Sequence, residues 1–413
     1  MKIANASHGR RAIHALAAGR LVLLEHSERI RAHSSCAAHD GWHLIVALPS
    51  RTGLPRQVAF AALRPPHGNS DRRLAMTTSP STILPLDPER VATIERFGGT
   101  ITPLDPIGAE VRGIDLSSRD TPPADVVEAL EQEMANRGFL VFKNETPLDA
   151  EDFLRASCWW GGKELHSTHG VHPATPKGNQ HIFRLSNDPR HGIPGVGPQW
   201  HNDGSFIPDT FSHSGYHIIR PAEKGGGTYF AHQGAAYDAL PEDRKAFWGR
   251  LSSVNSASGV LHPVVHEHPI SKKKCIWLHL GMTGAVIEKL PDEDGFRLLN
   301  AEEMKQLCHE YNDILNAGLE NGYAIEFEYQ ENDCVFIDNL AVAHRAAPGA
   351  HLPADEQGLR IMHRSTVRGV QALAPGFDLP AHLNIDQASP FGEGVWKGGG
   401  IGFRWEDGIP MQN

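Results

Sequence analysis

The stretch 199–206 reads QWHNDGSF and places an imidazole and a carboxylate two positions apart, beside a glycine and between aromatic residues. On a β-strand, positions i and i+2 point to the same side. His201 and Asp203 are therefore predicted to project together, while Asn202 points away. Because imidazole nitrogens and carboxylate oxygens are common metal ligands, the pair predicts two members of a metal site.

A third ligand has to come from elsewhere in the chain, and the best candidate is His344 in FIDNLAVAHRAAPG, just after a predicted strand. Two histidines and one carboxylate occupy one face of an octahedral iron and leave three positions open. That arrangement suits oxygen chemistry better than a closed structural zinc site. An HxD pair alone also occurs by chance in ordinary cores, so companion residues have to support the interpretation.

The companions are a hydroxyl and two guanidinium groups. Thr228 follows a glycine turn in KGGGTYF, and Arg360 and Arg364 lie four positions apart in GLRIMHRSTV, a predicted strand. An arginine can pair with a carboxylate through two hydrogen bonds, and a threonine can add a third donor. The set predicts a pocket for a small carboxylic acid near the metal.

This set of residues resembles the taurine dioxygenase / dichlorophenoxyacetate dioxygenase (TauD/TfdA) family of Fe(II)- and 2-oxoglutarate-dependent oxygenases. The 24 residues between Asp203 and Thr228 and the 115 between Thr228 and His344 fit the family. The 15 residues between His344 and Arg360 are more than usual, which we interpret as a loop insertion in AAPGAHLPADEQG. The insertion leaves open whether Arg360 or Arg364 holds 2-oxoglutarate.

The resemblance covers about residues 99–370 and implies a mainly β fold with flanking helices. The core would be a double-stranded β-helix, the jelly-roll of clavaminate synthase-like proteins. The implied roles are metal binding by His201, Asp203 and His344, 2-oxoglutarate binding by Thr228, Arg360 and Arg364, and substrate binding by His169, Gly204 and Arg364.

The reaction implied by the resemblance uses Fe(II), with 2-oxoglutarate and O2 as co-substrates, and releases succinate and carbon dioxide. The substrate would be a small anionic organic molecule. Hydroxylation is expected because related halogenases lack the carboxylate ligand, whereas Asp203 is present. The family's taurine-contacting asparagine would fall on Gly197, which argues against taurine itself.

Two other functions use the same residues. A zinc-dependent hydrolase could use the His/Asp cluster, but it would leave Arg360 and Thr228 unexplained. A catalytically silent jelly-roll binding protein would keep the barrel and the anion pocket without a metal. Iron binding together with succinate formation would separate the oxygenase from both.

The length, composition and net charge of the chain limit these interpretations. The chain has 413 residues, of which 40% are hydrophobic and 21% charged, enough for one large domain or two ordinary ones. A net charge of -10 argues against nucleic-acid binding, and no apolar run is long enough to span a membrane. Five scattered cysteines predict reduced thiols in a cytoplasmic protein. Assembly into a homo-oligomer is left open.

The first 75 residues differ from the remainder. They carry eleven Lys/Arg against four Asp/Glu and no sustained periodicity. We interpret residues 1–75 as a basic, poorly ordered extension, with an organelle transit peptide as the alternative. Residues 76–413 are then a single oxygenase domain, with order expected from about residue 99 and a Gly- and Trp-rich tail at 371–413.

Several elements are predicted from local patterns. Pro122 and Pro123 open a helix that ends before Gly138, and Asn300 with Glu303 forms a capping box for another. Strands are predicted at 139–142, 323–329 and 334–340. His262, His266 and His268 are predicted to lie on the surface of a proline-rich turn, and Trp159 and Trp160 in the core.

Overall fold

A computed structural model of the chain describes residues 16–17, 20–21, 85–144, 147–168, 170–291 and 295–373. Residues 1–70 form a separate unit, in which the structure describes the antiparallel strands β1 (Leu16–Ala17) and β2 (Arg20–Leu21). Almost all residues of the predicted N-terminal extension and of the tail lie outside the described ranges. What we expect of these two segments therefore stays a prediction. Within the described ranges, no helix is both long and apolar enough to cross a membrane.

The described residues contain seven α-helices and one short 3-10 helix at Pro176–Gly178. The α-helices are α1 (Pro88–Arg96), α2 (Ala124–Arg137), α3 (Ala150–Ser157), α4 (Gln233–Ala239), α5 (Glu242–Trp248), α6 (Ala301–Asn321) and α7 (Ala354–Gln357).

The remaining strands lie between and after these helices. They are β3 (Thr100–Pro103), β4 (Ala109–Arg112), β5 (Phe139–Lys143), β6 (Phe183–Ser186), β7 (His213–Arg220), β8 (Thr228–His232), β9 (Leu251–Asn255), β10 (Leu261–Pro263), β11 (Val265–Glu267), β12 (Lys274–Ile276), β13 (Thr283–Lys289), β14 (Phe296–Leu298), β15 (Ala324–Phe327), β16 (Asp333–Asp338), β17 (Val342–Ala346) and β18 (Ile361–Val367).

Two sheets form the barrel that carries the site. The larger has seven strands in the order β3-β4-β5-β16-β7-β18-β6, and only the β4–β5 pair is parallel. The smaller has the order β15-β8-β17. Phe139 of the larger sheet packs on Phe230 of the smaller one with 4.7 Å between ring centroids. Two sheets that face each other across a shared core agree with the predicted jelly-roll.

Strand β5 shows how the sequence produces this layering. Its alternate residues Phe139 and Val141 belong to the core between the sheets, whereas Leu140 and Phe142 pack under α1, α2 and α3. Neighbouring residues of a strand point to opposite faces, so a strand covered on both faces has a continuous apolar sequence. The predicted buried strand at 139–142 is confirmed.

The predicted helix boundaries also agree with the structure. Helix α2 ends where Gly138 takes a φ of 93°, and Asn300 and Glu303 form both hydrogen bonds of the capping box of α6. The prediction that order begins near residue 99 is wrong. Helix α1 starts at Pro88, and the carboxylate of Asp87 caps it by accepting bonds from two backbone N–H groups.

The prediction that three histidines lie on the surface is also wrong. His262, His266 and His268 are all buried, the first two within β10 and β11. His268 lies with Nε2 at 3.1 Å from the carboxylate oxygens of Asp338. His262 and His266 lie in two small sheets, β10-β9-β13-β14 and β11-β12, and the ring of His262 lies 4.5 Å from that of Trp277 between centroids. Trp159 and Trp160 are buried as predicted.

Candidate active site

Two predicted ligands from distant parts of the chain meet by strand pairing. The backbone N–H of His201 donates to the carbonyl of His344 at 3.0 Å, and the reverse bond is also 3.0 Å. This two-residue bridge adds the segment at His201 to the free edge of β17. The two imidazole rings lie 4.2 Å apart between centroids.

We expected the third ligand, Asp203, to lie on a strand. It lies instead in the turn that follows His201. Gly204 takes a φ of 88°, a conformation that favours glycine. The alternation predicted for a strand still holds at the level of side chains. Asp203 faces the two histidines, while the buried Asn202 points away and donates to Gln233 Oε1 at 2.9 Å.

The three side chains could hold one metal ion. Ligand atoms of His201, Asp203 and His344 all lie within 4.8 Å of one another. The His201 Nε2 to Asp203 Oδ1 distance is 4.0 Å, and that from His344 Nε2 to Asp203 Oδ2 is 3.9 Å. Across the described ranges no other group of three or more such ligands occurs.

The protonation states suit a metal. Nδ1 of His201 lies 2.7 Å from the carbonyl of Gln199, so Nδ1 carries the proton and Nε2 keeps its lone pair. Burial lowers the pKa of His201 and holds that of His344 well below its usual range, so both imidazoles are neutral. Burial alone would raise the pKa of Asp203, but the charge of Arg364 and the hydrogen bond from Ser214 lower it, leaving a carboxylate.

Asn339 holds the ligand turn in position, and the sequence analysis assigned it no role. Its Oδ1 accepts from the backbone N–H of Asp203 at 2.8 Å, and its Nδ2 donates to the carbonyls of Asp203 and Phe211, each at 2.8 Å. The hydroxyl of Ser214 donates to Asp203 Oδ2 at 2.8 Å. The Asp-Asn pair at 338–339, before the strand of His344, was the available signal for Asn339.

Replacing Asn339 by alanine should lower the free energy of unfolding by about 3 kcal/mol, because three buried backbone groups each lose a hydrogen bond. Iron affinity should fall as well, since the turn that carries Asp203 loses its tether. Chemical denaturation and anaerobic iron titration measure the two effects. Asn321→Ala is the control, because that exposed side chain bonds only the carbonyl of Ala317. Equal effects of the two substitutions would contradict this role for Asn339.

Arg364 lies closer to the metal cluster than the sequence suggested. Its Nη1 donates to Asp203 Oδ1 at 2.9 Å, and its guanidinium lies over the ring of Phe183 at 4.8 Å from the centroid. In this structure the arginine therefore neutralises the carboxylate that is predicted to bind the metal. Arg360 is not part of this pair and donates to the carbonyl of Gly226 at 3.0 Å.

Arg364→Gln should destabilise the metal-free protein by about 3 kcal/mol, because it leaves the buried Asp203 carboxylate without its cation. Fe(II) would supply the missing positive charge, so the rise in melting temperature on adding anaerobic Fe(II) should be larger in the variant than in the unmodified protein. Thermal melts with and without Fe(II) measure this. An equal or smaller rise would show that Arg364 does not neutralise Asp203.

The predicted 2-oxoglutarate residues share a cavity with the histidines. The empty space at this site, including its opening to solvent, is about 480 Å³. Its polar lining includes His201, His344, Thr228, Arg360, Arg364 and His351. Thr228 Oγ1 accepts from the hydroxyl of Tyr329 at 2.7 Å, so the threonine proton is free to point to a ligand. Burial raises the pKa of Tyr329, which keeps it a neutral donor.

The predicted substrate residues are less fully described. His169 lies outside the described residues. At Gly204, a Cβ atom would come within 2.8 Å of the Phe211 ring, so this backbone can approach a ligand but cannot carry a side chain. Gly197 is restricted in the same way, since it has a φ of 71° and a Cβ there would lie 2.9 Å from His201 Cε1. An asparagine at residue 197 therefore does not fit this site.

The jelly-roll fold and the His/Asp/His donor set together define a class, the mononuclear metal-dependent oxygenases with open coordination positions. The sequence model of the family described as "Taurine catabolism dioxygenase TauD, TfdA family" matches residues 100–366. The chain belongs to this family. The predicted class of enzyme, a 2-oxoglutarate-dependent dioxygenase, is confirmed.

Individual relatives agree with this assignment. The chain is 24% identical over 310 residues to the alpha-ketoglutarate-dependent sulfonate dioxygenase of Saccharomyces cerevisiae, covering 68% of this chain and 70% of the relative. It is 25% identical over 297 residues to the alpha-ketoglutarate-dependent sulfate ester dioxygenase of Pseudomonas putida, covering 64% and 87%.

A solved structure supports the fold. The crystal structure of a taurine dioxygenase from Burkholderia xenovorans superposes with a TM-score of 0.53 at 20% identity, covering 67% of this chain and 93% of that chain. The jelly-roll predicted from the sequence is confirmed.

Proposed function

We propose that this protein binds Fe(II) through His201, Asp203 and His344 and hydroxylates a small anionic organic substrate, converting 2-oxoglutarate and O2 to succinate and carbon dioxide. The observation that carries the proposal is the convergence of two neutral imidazoles and one carboxylate beside a cavity lined by Arg360 and Thr228. Three protein ligands leave half of an octahedral coordination sphere open, as this chemistry needs.

Within the cavity, Arg360 and Thr228 are proposed to hold the distal carboxylate of 2-oxoglutarate. Arg360 has one hydrogen bond to a carbonyl and no carboxylate partner among the described residues, so it can pair with a ligand. Arg364 is paired with Asp203 and is the weaker candidate for this role. Bound iron would supply the redox chemistry that couples oxidation of 2-oxoglutarate to that of the substrate.

The substrate class is inferred from the relatives and from the charge of the site. The relatives are named for sulfonates, sulfate esters and 2,4-dichlorophenoxyacetate, all of which are anions at neutral pH. Arg364, beside the metal cluster, is the proposed cation for such a substrate, together with the amide of Gly204 and with His169. Because residue 197 is glycine, we propose a substrate other than taurine.

We further propose that the enzyme works in the cytoplasm. The four described cysteines are all free thiols, which a reducing compartment preserves.

The direct test is an anaerobic titration with Fe(II) and 2-oxoglutarate. We expect a weak visible charge-transfer band, and in air we expect succinate in proportion to the 2-oxoglutarate consumed. Zn(II) in place of Fe(II) is the control and should give neither. Absence of both the band and succinate would refute the proposal and favour a silent binding protein. Oxygen uptake across sulfonates, sulfate esters and aryloxy acids then identifies the substrate.

A further inference from the structure

The loop insertion at 346–358 is built into the structure rather than projecting freely from it. Asn187 bonds it at its middle and at its end, since its Nδ2 donates to the carbonyl of Leu352 at 3.2 Å and to that of Gly358 at 2.9 Å. Its Oδ1 accepts from the backbone N–H of Arg360 at 2.9 Å. The buried Gln357 closes the loop from inside by donating to the carbonyl of Ala350 at 3.1 Å. These bonds set the position of the insertion relative to Arg360.

The insertion brings one ionisable side chain, His351, into the cavity that Arg360 and Thr228 also line. Both ring nitrogens of His351 are buried, and neither makes a hydrogen bond of normal geometry with the described residues. The Val196 backbone makes a weaker polar contact with the ring, which by itself raises its pKa. A buried N–H group without a partner costs about 1–3 kcal/mol, which an oxygen atom of a ligand would recover. The imidazole is therefore positioned for a ligand.

The neighbours of His351 indicate which part of a ligand it would meet. Burial lowers its pKa, and the charge of Arg360 lowers it further, so the ring is a neutral donor close to that guanidinium. Arg360 and Thr228 are the residues proposed above for the distal carboxylate of 2-oxoglutarate. A carboxylate has about four lone-pair sites, so it can accept from a third donor as well.

We propose that His351, supplied by the loop insertion, is a third binding residue for the distal carboxylate of 2-oxoglutarate, beside Arg360 and Thr228. This inference rests on the proposed function. It also gives the insertion a role, because the longer connection between His344 and Arg360 adds a donor to the pocket instead of merely displacing the arginine.

His351→Ala should raise the Kd for 2-oxoglutarate about tenfold, the loss expected for one hydrogen bond to a charged group. The Kd is measured by anaerobic charge-transfer titration at saturating Fe(II). The affinity for Fe(II) alone, measured by calorimetry, should be unchanged. His351→Gln keeps an N–H donor and should recover most of the affinity. Leu352→Ala is the matched control, since that neighbouring side chain is exposed and should leave the Kd unchanged.

Several results would contradict the proposed role of His351. An unchanged Kd in His351→Ala, no recovery in His351→Gln, or an equal rise in Leu352→Ala would each overturn the role of the imidazole. If the unmodified protein gives no charge-transfer band, the proposed function fails as a whole. If it gives the band and His351→Ala binds 2-oxoglutarate equally well, only this inference fails.

Discussion

His344→Ala is expected to reduce 2-oxoglutarate turnover by at least about a thousandfold while leaving the protein folded. The substitution removes one of three proposed iron ligands, and the remaining imidazole and carboxylate cannot hold Fe(II) in the same open geometry. The fold should survive because the bonds that pair His344 with His201 are made by the backbone. The Nδ1 atom of His344 has no partner in the described residues, so no hydrogen bond is lost there.

Turnover is measured as succinate formed in air, iron content by metal analysis, and folding by thermal melting. His191→Ala is the matched control, because that imidazole is 43% exposed and lies outside the cavity. Asp203→Ala is a less clean test, since it also leaves Arg364 without its partner. Full turnover in His344→Ala would show that the ligand assignment is wrong.

Arg360→Ala should raise the half-saturating concentration of 2-oxoglutarate about a hundredfold, the loss expected for a charge-assisted pair inside a pocket. The rate at saturating 2-oxoglutarate should change much less, because Arg360 is not among the proposed metal ligands. Steady-state kinetics over a wide range of 2-oxoglutarate concentrations separates the two parameters. The control is Arg112→Ala. Arg112 is an exposed arginine on β4 that pairs with Glu110.

The outcome also decides between the two arginines. If the half-saturating concentration is unchanged in Arg360→Ala but rises in Arg364→Ala, Arg364 holds 2-oxoglutarate, and the pair it forms with Asp203 must open when the co-substrate binds. If neither variant changes it, the pocket between Thr228 and Arg360 is not the co-substrate site.

Local patterns predicted a large part of this fold. The capping box at Asn300 and Glu303, the buried run at 139–142 and the alternation around β15 depend on neighbours within a few positions. Helix α1 was missed because its nine residues are mostly polar and Ile94 is its one fully buried residue. It is stabilised by packing on α2 and β3. The three histidines at 262, 266 and 268 were misplaced because their burial depends on tertiary contacts, such as those of His262 with the carbonyl of Ser205 and of His268 with Asp338.

For the site, the sequence by itself determined the donor types. The HxD pair, the later histidine, the threonine and the two arginines are all identifiable from residue type and spacing. Only the tertiary structure showed that Arg364 pairs with Asp203, that Asn339 tethers the ligand turn and that the insertion carries His351 into the cavity. The physical reason is that spacing along the chain specifies which groups are present, whereas hydrogen bonds between residues more than a hundred positions apart depend on how the sheets pack.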